Sequence, residues 1–147
     1  MAVGTTLSIK RSITIRAIVT TGWKEEAERE ISNAISTTDQ QLAQLELDGQ
    51  QVVDDVRRQS ANPLDPRVQD QVSQVQQQVA AKRAELEEQK RSLLQQQHQI
   101  RELEMGQIVD QGQIESFCDL KVGDNLVSKM QVSVVVKDGV VQAIEQT

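Results

Sequence analysis

Apolar residues recur at alternating spacings of four and three through the middle of the chain, in two blocks separated by its only two prolines. The first block is Ile31, Ile35, Thr38, Leu42, Leu45, Gly49, Val52 and Val56. The second is Val68, Val72, Val75, Val79, Leu86, Leu93, Ile100 and Leu103, with Lys82, Gln89 and Gln96 at the intervening seam positions. A mean period of about 3.5 residues keeps one stripe of a helix turned toward a partner helix, which is the pattern of a coiled-coil seam. Pro63 and Pro66 each lack a backbone donor and clash with a preceding helical turn, so the segment between the blocks cannot be helical throughout. The spacing therefore predicts two helices, over about residues 23–58 and 65–105, folded back on one another around a tip at 59–64. Asp65 supplies a capping carboxylate for the second helix, and Pro66 fits its first position.

Laid antiparallel, the two stripes match: Val56 falls opposite Val68, Val52 opposite Val72, Gly49 opposite Val75, Leu45 opposite Val79, Leu42 opposite Lys82 and Thr38 opposite Leu86. Polar seam residues such as Lys82 cost stability and specify register. Two helices bury only one stripe each. The apolar residues left off the seam, among them Ala43, Leu47 and Val53 in the first helix and Ala80, Ala84 and Leu94 in the second, imply side-by-side association into a dimer or tetramer.

Outside the helices the period falls to two. Leu7, Ile9, Ile13, Ile15, Ala17 and Val19 alternate with Ser8, Lys10, Ser12, Thr14, Arg16 and Thr20, the signature of a half-buried strand. Arg11 interrupts the apolar parity and marks a bulge or a frayed start. Thr20-Thr21-Gly22 offers a helix cap, and Glu25, Glu26 and Glu28 suit the first turn of a helix. Beyond Gly106, Ile108, Ile114 and Cys118 share one parity, and Lys121-Val122-Gly123-Asp124-Asn125 reads as a turn. Met130, Val132, Val134 and Val136 form a further strand. Asp138-Gly139 is a two-residue hairpin signal, after which Val140, Val141, Ala143 and Ile144 return. The first strand enters one helix and the strand after Gly106 leaves the other, so these strands are expected to be antiparallel neighbours. The fold class is α+β: a long antiparallel coiled-coil hairpin, 23–105, inserted in a small antiparallel β-sheet or partial barrel made by residues 1–22 and 106–147.

The residues exclude more functions than they name. Trp23 and Phe117 are the only aromatic side chains, too little ring surface for a usual small-molecule pocket. A net charge of −6 argues against broad nucleic-acid binding, which requires a basic face. Local basic spots remain at Lys10, Arg11 and Arg16 and, near the tip, at Arg57, Arg58 and Arg67. The tip arginines, with Leu47 and Leu94, are the candidate partner contacts. Cys118 is the one cysteine, so no internal disulfide forms, and beside Phe117 it reads as a small buried hydrophobe. His98, the one histidine, falls off the seam onto a solvated helix face. No zinc set, phosphate-binding loop or nucleophile–base pair is legible, so neither catalysis nor a cofactor is expected. Without a secretory leader or a membrane-spanning run, a soluble cytoplasmic protein is expected.

The strand running into Trp23-Lys24-Glu25-Glu26, the coiled-coil hairpin, and the C-terminal stretches Val122-Gly123-Asp124 and Val135-Val136-Lys137-Asp138-Gly139-Val140-Val141 together resemble the YlqD family of bacterial and cyanobacterial proteins. The resemblance covers nearly the whole chain, and its specific part is the Gly-Asp and Lys-Asp-Gly-Val stretches. It implies no established activity, because the family is biochemically uncharacterised; the placement of some members beside ribosome-maturation and transfer-RNA modification genes implies a link to translation. The expectation is a non-enzymatic structural or adaptor protein that self-associates and contacts an unidentified protein. A ribosome- or RNA-associated factor is the alternative. A prefoldin-like holding chaperone is a third reading, although a polar tip from Arg57 to Arg67 argues against it.

Overall fold

A computed structural model describes residues 4–146. Its elements, in chain order, are β1 (Thr6–Ile18), α1 (Thr21–Arg58), α2 (Pro66–Glu102), β2 (Ile108–Lys121), α3 (Leu126–Met130), β3 (Val132–Lys137) and β4 (Val140–Gln146). They divide into two compact units: Ala27–Arg101, and the flanking segments up to Glu26 and from Glu102 on.

The flanking segments make one four-stranded sheet in the order β2-β1-β3-β4. As the sequence predicts, β1 and β2 are antiparallel neighbours, paired from Thr6 with Lys121 to Ile18 with Ile108. The sheet is nevertheless mixed, not wholly antiparallel, because β1 and β3 run parallel. The sequence offers no strong signal for this: the connection from β2 crosses β1 through the short helix α3, where only a turn and the start of a strand were predicted. Asn125 caps α3 by accepting from the Ser128 amide at 3.1 Å.

Arg11 is not at a bulge. It lies opposite Ser116 in a regular stretch of the ladder, and its guanidinium donates to the Lys129 carbonyl at the end of α3 at 2.7 Å. The bulge comes later, where Ile15 pairs with Gly112 and Arg16 with Asp110, leaving Gln111 over. That extra residue reverses the parity of β2, so Ile108 and Ile114 face opposite sides of the sheet although their numbers share a parity.

The hairpin between β3 and β4 turns where predicted. Asp138 and Gly139 both have positive φ, at 49° and 82°, as a type I′ turn demands. Asp138 also accepts from the Thr20 hydroxyl at 2.6 Å, and that same hydroxyl accepts from the Trp23 amide at 3.1 Å, capping α1. Replacing Gly139 by valine, which resists a left-handed backbone, is expected to destabilise the fold by about 1–2 kcal/mol. Thermal denaturation would show it, and an unchanged melting temperature would refute the turn assignment.

Helices α1 and α2 contain 38 and 37 residues, each spanning roughly 55 Å. At the tip, Asp65 caps α2 by accepting from the Arg67 amide at 2.9 Å, with Pro66 in the first turn. Asn62 orders the preceding turn: its side chain accepts from the Leu64 amide and its carbonyl from the Asp65 amide. Helix α2 ends at Glu102, short of the predicted 105, because Gly106 takes a left-handed φ of 87° and its amide donates to the Val19 carbonyl. Leu103 therefore lies just beyond the helix, where it is half-buried.

Candidate interaction surfaces

The hairpin is built around a narrow buried line: Thr38, Val53, Val72 and Leu86. Thr38 is buried at a hydroxyl that donates to the Ala34 carbonyl one turn earlier, so no polar atom is stranded. Of the predicted seam, Ile31, Ile35, Leu42, Leu45, Val56, Val68, Val75, Val79, Leu93 and Ile100 are half-buried. Val52 is not in the seam. It is 45% exposed, whereas its neighbour Val53 is 4% exposed and takes the inward place. A straight α-helix turns 3.6 residues per turn and drifts away from a strict heptad, which moves the inward position from 52 to 53 after Gly49.

The register also differs from the expected one. A Cβ placed on Gly49 would come 2.7 Å from Val79 Cγ2, so Gly49 faces Val79, not Val75. This slides α2 by about one helical turn. Three cross-helix ion pairs agree with the shifted register: Arg83 with Glu46, Lys90 with Asp39 at 2.7 Å, and Arg101 with Glu28 at 2.9 Å. Arg83 and Lys90, not Lys82 and Gln89, are thus the polar residues turned toward α1, while Lys82 pairs with Glu85 on its own helix at 3.3 Å. The pairs are largely solvated and contribute at most about 1 kcal/mol each, so their role is to select the register. Beside Gly49 the two helices leave a cleft of about 240 Å³, lined partly by Glu46, Gln50, Gln76 and Arg83. It is smaller than the usual ~300–1,000 Å³ of a ligand site.

The candidate partner contacts are all exposed, but they do not form one patch. Arg57 and Arg67 stand at the tip, and Arg58 is tied to Asp55 at 3.3 Å. Leu64 stands bare there too. In the observed register Leu47 and Leu94 lie roughly 20 Å apart along the hairpin.

The sheet carries a larger apolar surface that the sequence reading did not assemble. Strand pairing puts Leu7, Ile9, Ile13 and Ile15 of β1 on the same face as Leu120, Cys118 and Ile114 of β2, Val134 and Val136 of β3, and Ile144 and Val141 of β4. The other face is mostly polar along β1 and β2, apart from Phe117 and the Ile18–Ile108 pair, with cross-strand ion pairs between Lys10 and Glu115 at 2.9 Å and between Arg16 and Asp110 at 3.4 Å. The alternation in β1 was visible. Assembling the face required strand order and both bulges, including the one that leaves Gln142 over between β3 and β4.

Among the described residues no group of three His, Cys, Asp or Glu side chains could hold a metal ion, and no helix is long and apolar enough to cross a membrane. Cys118 is half-buried on the apolar sheet face, and His98 is exposed on α2.

Fold and surfaces together define a class: an α+β protein whose mixed sheet is made by both ends of the chain, with a helical hairpin inserted between its first two strands. The chain belongs to the YlqD family, whose model, described as YlqD protein, matches residues 7–145. It is also similar to a protein of unknown function from Synechococcus sp. WH 8102 known from a crystal structure, with 74% identity over 99% of this chain and 98% of that one and a TM-score of 0.86. No curated protein matches it.

Proposed function

We propose that this protein is a non-enzymatic structural or adaptor protein that works through protein–protein contacts and self-association. The observation that carries this reading is the imbalance between buried and bare apolar surface. Among the described residues only seven apolar side chains are buried, while large ones such as Leu47, Leu64, Ile114, Phe117 and Ile144 stand exposed. A surface of that kind is what partner burial stabilises. Charged side chains such as Lys90, Asp39, Lys10 and Glu115 are engaged in solvated ion pairs, an arrangement that supports register more readily than chemistry.

Purification of the tagged protein from its own cells, at low and at moderate salt, tests the reading. A homo-oligomer, or a stoichiometric complex with one defined protein, is expected to persist at moderate salt because apolar contacts are not screened. Recovery of RNA and ribosomal proteins that wash away steeply with salt would overturn it in favour of the translation reading, with Arg57, Arg58 and Arg67 as the first contacts to substitute.

A further inference from the structure

Resting on the adaptor reading above, we infer that the tip of the hairpin is the surface that takes the protein partner. Its occupant is an acidic–aliphatic peptide segment, one aliphatic side chain with a carboxylate beside it.

The tip holds a cleft of about 420 Å³, lined by Arg57, Pro63, Leu64, Gln69 and Val72. That volume falls within the ~300–1,000 Å³ of a usual ligand site, unlike the smaller cleft beside Gly49. Val72 is buried, whereas Leu64, 76% exposed, is the barest large apolar residue of the hairpin. The turn that presents Leu64 is already ordered, because its amide donates to the Asn62 side chain and the Asp65 amide donates to the Asn62 carbonyl. An aliphatic side chain entering the cleft therefore removes Leu64 from water without first having to order the loop.

Charge sets what must accompany that side chain. Among the described residues, Arg57 and Arg67 are the arginines whose guanidinium has no partner, and both stand at the tip. Elsewhere the arginines are engaged, Arg16, Arg83 and Arg101 with carboxylates and Arg11 with a carbonyl among them. Arg67 lies in the first turn of α2, which has no acidic residue of its own, so its charge opposes the positive end of the helix dipole. A carboxylate brought by a partner offsets that cost and meets a guanidinium in the paired geometry it favours. Two features select a peptide over RNA. Asp54, Asp55, Asp65 and Asp70 occupy the same turns and repel a continuous phosphate backbone, and the tip has no aromatic ring to stack a base. A single carboxylate on an apolar segment satisfies the two arginines and the cleft together.

A phage-displayed library of random short peptides, panned on the full chain, tests the assignment. Enriched sequences are expected to carry Asp or Glu close to a Leu, Ile or Phe. A fluorescein-labelled synthetic copy of the most enriched sequence is then followed by anisotropy. It is expected to bind Arg57→Glu and Leu64→Asp at least about tenfold more weakly than the native chain. Both side chains are exposed and off the seam, so the helical circular dichroism of these variants is expected to be unchanged. Lysine in place of the peptide's carboxylate is expected to weaken binding to the native chain by a similar factor and to restore binding to Arg57→Glu. A purely structural role for Arg57 would produce no such exchange. Enriched peptides without carboxylates, no enrichment at all, or equal binding to native and variant chains would each overturn the assignment. So would a labelled single-stranded RNA that binds through Arg57 and is released by salt, which favours the translation reading. If a partner purified from the cells survives Arg57→Glu and Leu64→Asp but is lost with Leu47→Glu, the adaptor reading stands and the tip assignment falls. Should the variants fail to fold, the lysine-substituted peptide decides on the native chain alone, undiminished binding overturning the assignment.

Discussion

Leu86→Ala is expected to destabilise the hairpin by about 2–3 kcal/mol, the largest loss for any single truncation along its seam. Leu86 is 5% exposed, the one large aliphatic side chain of the hairpin that two helices suffice to enclose. Its removal forfeits the transfer of several methyl and methylene groups out of water and leaves a void. The value falls in the lower part of the range for such truncations because half-exposed neighbours, Leu45 among them, can settle into the space. Leu94→Ala provides the contrast. Leu94 is exposed, so its truncation is expected to change stability by no more than about 0.5 kcal/mol. Urea denaturation followed by the helical circular dichroism signal measures both. Equal losses for the two variants would show that Leu86 is not enclosed.

Gly49→Ala is expected to reverse sign according to what stands opposite it. In an isolated helix, alanine is better than glycine by about 1 kcal/mol. Here the new methyl would sit 2.7 Å from Val79 Cγ2, with Val79 Cγ1 and Cβ at 3.6 and 3.7 Å behind it. A valine in a helix has essentially one comfortable χ1, so Cγ2 cannot swing aside, and overpacking of this kind costs about 1–3 kcal/mol. The substitution is therefore expected to lose about 1 kcal/mol in the native background and to gain about 1 kcal/mol when Val79 is alanine. That coupling, on the order of 2 kcal/mol, is large for one pair and is read directly from a double-mutant cycle. Additive effects would mean that Gly49 and Val79 do not face one another and that the expected pairing with Val75 deserves restoration.

These two residues also illustrate what the chain discloses before it is folded. Two helices, their turn and their caps follow from strictly local chemistry. Pro63 and Pro66 break the helix, Asp65 caps the next one, and Asp138-Gly139 bends a hairpin whatever surrounds it. Register is not local. The heptad stripe fits itself at more than one offset, and the choice falls to where a glycine permits close approach and where Arg83, Lys90 and Arg101 find carboxylates across the gap. The single-residue drift from Val52 to Val53 is invisible to a pattern that assumes one constant period. In the sheet, alternation in β1 announced an apolar face, but the residues that complete that face come from strands brought in by a crossover. Two bulges, at Gln111 and Gln142, reverse parity partway along the outer strands, so counting by twos misassigns them.

The pairing of β1 on both its edges has a consequence for how the chain is made. Both neighbours, β2 and β3, are encoded after the whole helical hairpin. At ~5–20 residues per second, the ribosome needs on the order of 5–20 s to add ~100 residues, and for that time β1 exists without either partner. A 13-residue segment rich in isoleucine is then an open template for aggregation. Lys10, Arg11 and Arg16 interrupt it at intervals, and like charges of this kind disfavour pairing of one such strand with another. Glu115 and Asp110, the carboxylate partners of Lys10 and Arg16, arrive with β2, so two of the charges that guard the unfinished strand become ion pairs of the finished sheet.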